Sequence, residues 1–303
     1  MKKLAYVALL ISCHATANYI QADHPHVITP FFSTCITDNG TVTPPPVPSD
    51  VYNPNGYYDA ALNQTGQTLK QALNGIISQG HIKLRYTDNS SPDTMDVWKA
   101  LMITDEDPYQ SDHVILLYTG RSQLKTERSG QGSLGQDNWN REHLWPKSHG
   151  GFNNKSAYAY TDIHHLRPSD ESINSERGSL EFNEGGVPTK ESPEAGNKKD
   201  PQRGTFEPRD AVKGDIARSM FYMATRYEGK DPITPDLEIN VGNNSPTSHL
   251  GDLCTLLKWH EQDPVDDFEK QRHEKIYSIQ NNRNPFIDNP FWVEEIFSSP
   301  ECP

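Results

Sequence analysis

The run Arg141-Glu142-His143-Leu144-Trp145-Pro146-Lys147-Ser148 is followed by Thr161-Asp162-Ile163-His164-His165-Leu166-Arg167-Pro168 and Asn174-Ser175-Glu176-Arg177-Gly178. Together they set a carboxylate, imidazoles, a carboxamide and guanidinium groups close along the chain. In a regular strand, neighbouring side chains point to opposite faces. Glu142 and His143 can therefore serve one centre only at a strand end or an irregular turn, which the Gly-rich approach and Pro146 permit. A second strand is expected over Asp162–Leu166, with Asp162, His164 and Leu166 on one face and Ile163 and His165 on the other. Arg167-Pro168 then leads into a helix with Ser169 as N-cap and Asp170 and Glu171 in its first turn, where acidic groups complement the positive helix end. Asp170, Asn174 and Arg177 follow at i, i+4 and i+7 and share one stripe. Gly178 comes early for a helix running to Phe182, unless the helix stops there.

Outward from this centre, the N-terminal side reads as a helix carrying Leu69, Leu73, Ile76 and Ile77 with a stop at Gly80, then a second over Asp93–Thr104. Val114-Ile115-Leu116-Leu117-Tyr118 reads as a buried strand ending before Gly120. Residues 121–140 are rich in Gly, Ser and Gln and read as a loop, as does the polar stretch 184–205. On the C-terminal side the clearest helix spans Arg209–Tyr227, where Val212, Ile216, Met220, Met223 and Tyr227 form an apolar stripe that ends at Gly229. Leu250–His260, Val265–Ile279 and a short tail segment complete the set. The acidic run from Glu261 to Glu269 reads as a solvated helix start, and Trp145 as a packing residue. Helices flanking a small strand region predict an α+β fold with one main, mostly helical domain over 51–303.

The remainder of the chain has a different character. Lys2 and Lys3, the apolar Leu4–Ile11 and the small residues Ala15-Thr16-Ala17 have the pattern of an export signal over 1–17. Leu10-Ile11-Ser12-Cys13 offers an alternative, lipoprotein processing at Cys13. Both place the protein outside the cytoplasm, in the periplasm or the medium. Residues 18–50 include Thr43-Pro44-Pro45-Pro46-Val47-Pro48 and read as a polar linker with polyproline character. Nothing after the first twenty residues could span a bilayer. Cys35, Cys254 and Cys302 then remain, which allows at most one internal disulfide, and no CxxC spacing suggests a cysteine-ligated zinc.

The formal charge of −13 counts against a protein that coats nucleic acid. The window 121–155 departs from that average. It carries Arg121, Lys125, Arg128, Arg141, Lys147 and Lys155 against Glu127, Asp137 and Glu142. A local basic surface inside an acidic chain suits an enzyme that touches a polyanion and must release it. Phosphodiester hydrolysis requires a base for water and stabilisation of charge at phosphorus and at the departing oxygen. Histidine, with an unperturbed pKa of ~6.5, suits the first task, and hard oxygen ligands suit Mg²⁺.

The wording Asn140-Arg141-Glu142-His143-Leu144-Trp145-Pro146-Lys147-Ser148-His149-Gly150-Gly151-Phe152 and Asp162-Ile163-His164-His165-Leu166-Arg167-Pro168 resembles the endonuclease I family of ββα-metal (His-Me finger) nucleases, most of all its secreted bacterial ribonuclease branch. Lys213–Arg218, Asp263–Glu269 and Asn282–Asp288 are similar too, so the likeness spans about Gly56 to Phe297. The resemblance implies a ββα-metal core within the α+β domain and a metal-dependent endonuclease of RNA, DNA or both, with little sequence preference. His143 would be the general base, Glu142 and Asn174 the ligands of one Mg²⁺ (Mn²⁺ or Ca²⁺ substituting), and the products would end in 5′-phosphate. An arginine against the phosphate is expected, and Arg177, Arg167 and Arg141 compete for that place. Asp162, His164 and His165 are further candidates for supporting or substrate contact. One of the two histidines is expected to face the site and the other to pack, and Asp162 either orients an imidazole or caps the strand. Ser179 stands where the resemblance predicts asparagine. A monomer is expected, and no protein partner is inferable. Two other readings stay open: a nucleic-acid-binding module without catalysis, and a zinc hydrolase built on His143, His149, His164 and His165.

Overall fold

The computed structural model describes residues 51–91, 93–131, 138–242 and 248–302, together with the backbone of Cys35–Ile36 (β1) and Val42–Thr43 (β2). The chain divides into a unit over 1–51, in which β1 and β2 pair antiparallel, and a unit over 52–303. The export-signal and Cys13 readings, and those on the rest of the Pro-rich segment, lie outside the described residues. All that follows concerns the second unit.

Helix α1 (Gly66–Ser78) buries Leu69, Leu73 and Ile77 on the predicted face, and Gly80 follows in the left-handed region at φ +72°. Helix α2 (Val97–Thr104) starts later than Asp93, because Asp96 is its cap: one carboxylate oxygen accepts from Lys99 N at 2.9 Å. Strands β3 (Glu106–Asp107), β4 (Gln110–Ile115) and β5 (Ser122–Leu124) form an antiparallel meander. The apolar run at 114–118 is thus only partly strand. Val114 and Ile115 close β4, whereas Leu116, Leu117 and Tyr118 are fully buried beyond it, with Leu117 N donating to Pro168 O.

Strand β6 (Trp139–His143), helix α3 (Lys147–Gly150), strand β7 (Leu166–Asp170) and helix α4 (Glu171–Arg177) hold the residues of interest. β6 and β7 pair antiparallel, from Trp139 opposite Asp170 to His143 opposite Leu166. The second strand therefore begins where the sequence placed its end. The Asp162 carboxylate accepts from His164 N at 3.0 Å, holding 162–165 in turns. Ser169 stays extended opposite Asn140, so Asp170 caps α4 in its place, accepting from Ser172 N and Ile173 N. The helix stops at Arg177, with Gly178 at φ +56°. Behind the β6–β7 pair lies a core that includes Val97, Trp98, Leu101, Val114, Trp139, Ile163 and Leu166.

The stretch expected to be a polar loop contains most of a four-stranded sheet. Strands β8 (Glu181–Phe182), β9 (Val187–Pro188), β10 (Lys198–Asp200) and β11 (Thr205–Glu207) assemble in the order β8-β11-β10-β9. Strands of two or three residues rest on backbone pairing and show almost no apolar alternation, so their sequence reads as loop. Helix α5 (Lys213–Arg226) follows one 3-10 turn and is buried along its whole length. Strands β12 (Glu238–Asn240) and β13 (His249–Asp252) pair in parallel. Helices α6 (Leu253–Gln262), α7 (Asp267–Gln280), α8 (Pro285–Asp288) and α9 (Trp292–Phe297) close the chain. The acidic run is only partly solvated. Asp266 caps α7, but Glu269 is buried against the Arg218 guanidinium, with N–O distances of 2.8 and 2.6 Å. A Cys254–Cys302 disulfide ties the tail to α6. The unit is α+β.

Candidate active site

Glu142 and His143 end β6, the position at which adjacent residues can address one centre. Both are nearly buried, at 2% and 7% exposure. Glu142 Oε1 accepts from Tyr118 Oη at 2.7 Å and from Arg177 Nη1 at 2.9 Å. The His143 backbone N–H also donates to this carboxylate, and no side chain donates to Oε2 among the described residues. Burial raises the Glu142 pKa, and the Arg177 guanidinium and Tyr118 hydroxyl oppose that rise. His143 Nε2 lies 3.0 Å from Tyr160 O. A carbonyl can only accept, so Nε2 carries the proton and Nδ1 keeps a free lone pair. Burial, then the neighbouring His165, holds the His143 pKa well below its ordinary value, so the ring is neutral.

Asn174 enters from α4. Its Nδ2 donates to Asn140 Oδ1 at 2.6 Å, which fixes the amide and leaves Asn174 Oδ1 without a partner among the described residues. Glu142, His143, Asn174, Tyr86, Arg141 and Lys147 line a common cavity of about 340 Å³. A larger cleft of about 580 Å³ beside the disulfide is lined by Lys258, Glu261 and Glu294 and has no imidazole or carboxamide. The smaller cavity holds the chemistry. Two hard oxygens that meet no side-chain donor among the described residues, Glu142 Oε2 and Asn174 Oδ1, suit a hard divalent cation that keeps most of its water.

The other predicted residues separate. Arg167 is 3% exposed and pairs with Asp105 at 2.8 Å and Asp215 at 3.2 Å, away from the cavity lining. Arg177 has no exposed surface. Besides Glu142, it donates to His143 O at 3.0 Å and Leu144 O at 2.6 Å, so it locks the carboxylate and the strand end. Neither is placed to meet a phosphate, because each is buried with its charge held by a carboxylate. Arg141 alone of the three reaches the cavity, half-buried, its guanidinium 3.4 Å from the Tyr86 ring centroid and 4.0 Å from that of Trp98.

His164 and His165 both pack. Their Nε2 atoms bond Asn282 O at 3.2 Å and Ala159 O at 2.7 Å. No imidazole ring N–H donates to Asp162 among the described residues; its carboxylate takes the His164 backbone N–H in the turn before β7. It accepts from Tyr222 Oη, Tyr227 Oη and Gln280 Nε2 at 2.7–2.8 Å. Burial works to raise its pKa, but the nearby imidazoles of His81, His164 and His165 and the Gln280 amide outweigh it and hold the carboxyl well below the usual range. His149 Nε2 bonds Ser179 O at 3.0 Å. The four imidazoles of the zinc alternative thus each bond a different carbonyl and share no centre. Tyr118, Asn140, Tyr86 and Lys147 belong to the site although the sequence reading assigned them no part in it. Asn140 alone had a signal, since it lies two residues from Glu142 and so on the same strand face.

The Endonuclease I family model matches residues 65–291. The chain is 49% identical over 268 residues to the extracellular ribonuclease of Bacillus amyloliquefaciens, covering 86% of each chain. It is 49% identical over 244 residues to the extracellular ribonuclease of Bacillus subtilis (strain 168), covering 80% of this chain and 78% of the relative. An extracellular deoxyribonuclease of Aeromonas hydrophila is 26% identical over 128 residues, 42% of this chain and 49% of that one. The chain belongs to the Endonuclease I family. Among the described residues, no helix is long and apolar enough to cross a membrane.

Proposed function

We propose that the chain is a secreted endonuclease that hydrolyses phosphodiester bonds of RNA, DNA or both, and that β6, β7 and α4 form its ββα-metal core. The observation that carries this reading is the His143 ring, with Nε2 on Tyr160 O and Nδ1 left to accept, beside the Glu142 carboxylate and the Asn174 amide in one cavity. Extracellular relatives named for ribonuclease and deoxyribonuclease activity support both the export and the substrate class.

In the proposed reaction His143 Nδ1 takes a proton from water, whose oxygen forms a bond to phosphorus while the bond to the 3′-oxygen breaks. The 3′-oxygen is protonated from solvent, leaving a 5′-phosphate and a 3′-hydroxyl. Tyr160 O holds the resting imidazole in the tautomer whose Nδ1 accepts, and keeps its bond from Nε2–H when the ring becomes imidazolium. Mg²⁺, or Mn²⁺ or Ca²⁺ in its place, held by Glu142 and Asn174, would offset the charge at the phosphate and the departing oxygen. Arg141 and Lys147 at the cavity supply the cations for the phosphate. Water as nucleophile needs no 2′-hydroxyl, so the chemistry admits both sugars.

The test is digestion of supercoiled plasmid and of a long RNA by the mature protein with Mg²⁺, with EDTA, and by His143→Ala. Cutting that requires the cation and falls by ~10²–10⁴ in the variant is expected for loss of a general base. Folded wild-type protein that cuts neither substrate would return the binding-module reading.

A further inference from the structure

Arg128 and Arg141 are set apart from most arginines of this molecule. Arg167, Arg218 and Arg283 each hold a carboxylate. Among the described residues neither Arg128 nor Arg141 has a carboxylate within ion-pair distance, in a chain of net charge −13. Both are built in rather than left to wander. Their guanidiniums lie 4.5 and 4.0 Å from the ring centroid of one nearly buried tryptophan, Trp98. That tryptophan packs edge-on against Trp139 at the start of β6.

The backbone around Arg128 is fixed as well. Ser129 N donates to Trp139 O and Trp139 N donates to Glu127 O, both at 2.9 Å. Arg128 is therefore anchored at the opposite end of β6 from His143. Four residue steps along the strand separate Trp139 from His143, roughly 13 Å at the strand rise per residue, too far to share one phosphate. Tyr86 links the two ends: its ring stacks on His143 at 5.7 Å between centroids, and Arg141 sits over it. With those neighbours, Tyr86 serves as an anchor for the guanidinium rather than as a shelf for a base.

We infer that the substrate strand leaves the catalytic cavity along β6, from the reacting phosphate at Arg141 to a flanking phosphate on Arg128, both cations held by Trp98. This rests on the nuclease reading and adds to it the path of the strand. It also explains how a strongly acidic protein would grip a polyanion: two guanidiniums with no carboxylate at ion-pair distance among the described residues, set on an aromatic ring, lose little freedom when a phosphate arrives.

The test is binding of a long single-stranded oligonucleotide in EDTA across a NaCl series, by fluorescence anisotropy, beside the plasmid and RNA digestion. Each phosphate contact contributes ~0.7–0.9 to the slope of log K against log salt. Arg128→Gln, which keeps the apolar stem on Trp98, is expected to flatten that slope by about one such contact and to weaken binding at low salt. Arg128→Lys, which keeps the charge, should retain the wild-type slope and shows that any loss is not misfolding. Lys258→Gln, on the distant cleft, should also leave it unchanged. A wild-type enzyme that cuts, with Arg128→Gln binding on the same slope, overturns the path while leaving the nuclease standing. Wild-type protein that neither binds nor cuts overturns both.

Discussion

Glu142 gives one oxygen to the protein and keeps the other for the cavity, and that division depends on two buried neighbours. Arg177 supplies a charge and Tyr118 a hydroxyl, both to Oε1. Removing the guanidinium strands a buried carboxylate, so Arg177→Met is expected to cost about 3–5 kcal/mol in urea unfolding and to reduce cleavage at least ~10-fold, because a supporting residue acts through the ligand it holds. Tyr118→Phe removes one neutral donor and is expected to cost about 1–3 kcal/mol, measured the same way. Equal costs for the two would contradict the asymmetry. At this scale the sequence named Glu142, His143 and Asn174, and the fold brings the three to one cavity. The sequence did not disclose which arginine meets solvent. Arg141, Arg167 and Arg177 are alike in sequence and differ only in what folds around them, two carboxylates for Arg167 and the strand end for Arg177.

The two-strand, one-helix unit shows what local patterning can and cannot place. Alternation left Glu142 and His143 a strand end or an irregular turn, and the structure has the strand end. The second strand and the helix cap were each displaced, because Asp162 and Asp170 are both carboxylates able to take backbone N–H groups and only the fold decides which turn each one holds. The sheet of β8 to β11 was not legible, since its strands are too short to carry a pattern. Helix α5 was, since its apolar stripe is long. At the C-terminus, the Cys254–Cys302 bridge spans 48 residues, a loop for which chain entropy suggests about 4 kcal/mol of stabilisation. Cys302→Ser should lower the urea midpoint accordingly while cleavage by the folded fraction persists, given that the bridge lies at the other cleft. Loss of activity in protein shown to be folded would contradict the independence of the two regions.

Across the whole molecule, buried imidazoles link stability to pH. Burial, above all, holds His81 and His260 at about 4 and His164 at about 3. Each is neutral in the folded protein, while the unfolded chain takes up a proton near ~6.5. The unfolded state therefore binds more protons below that pH, and the stability from the neutral rings is complete above ~6.5 and is lost as pH falls toward 4. Asp162 and Asp288, held well below the usual carboxylate range, extend the loss further into acid. The melting temperature is expected to fall steadily from about pH 6.5 to 4. A flat profile across that window would contradict the burial of these rings. Net acidity and a confined basic track also fit together at this scale: the surface at large repels nucleic acid, and the edge of β6 receives it.

The measurement that bears most directly on the central claim is the Mg²⁺ dependence of single-turnover cleavage by wild type, Asn174→Ala and His143→Ala. The account predicts that Asn174→Ala needs ~10–100-fold more Mg²⁺ to reach its maximum rate, while His143→Ala saturates at the wild-type concentration with a rate lower by ~10²–10⁴. Identical Mg²⁺ dependence in wild type and Asn174→Ala, or a wild-type rate from His143→Ala, would contradict it.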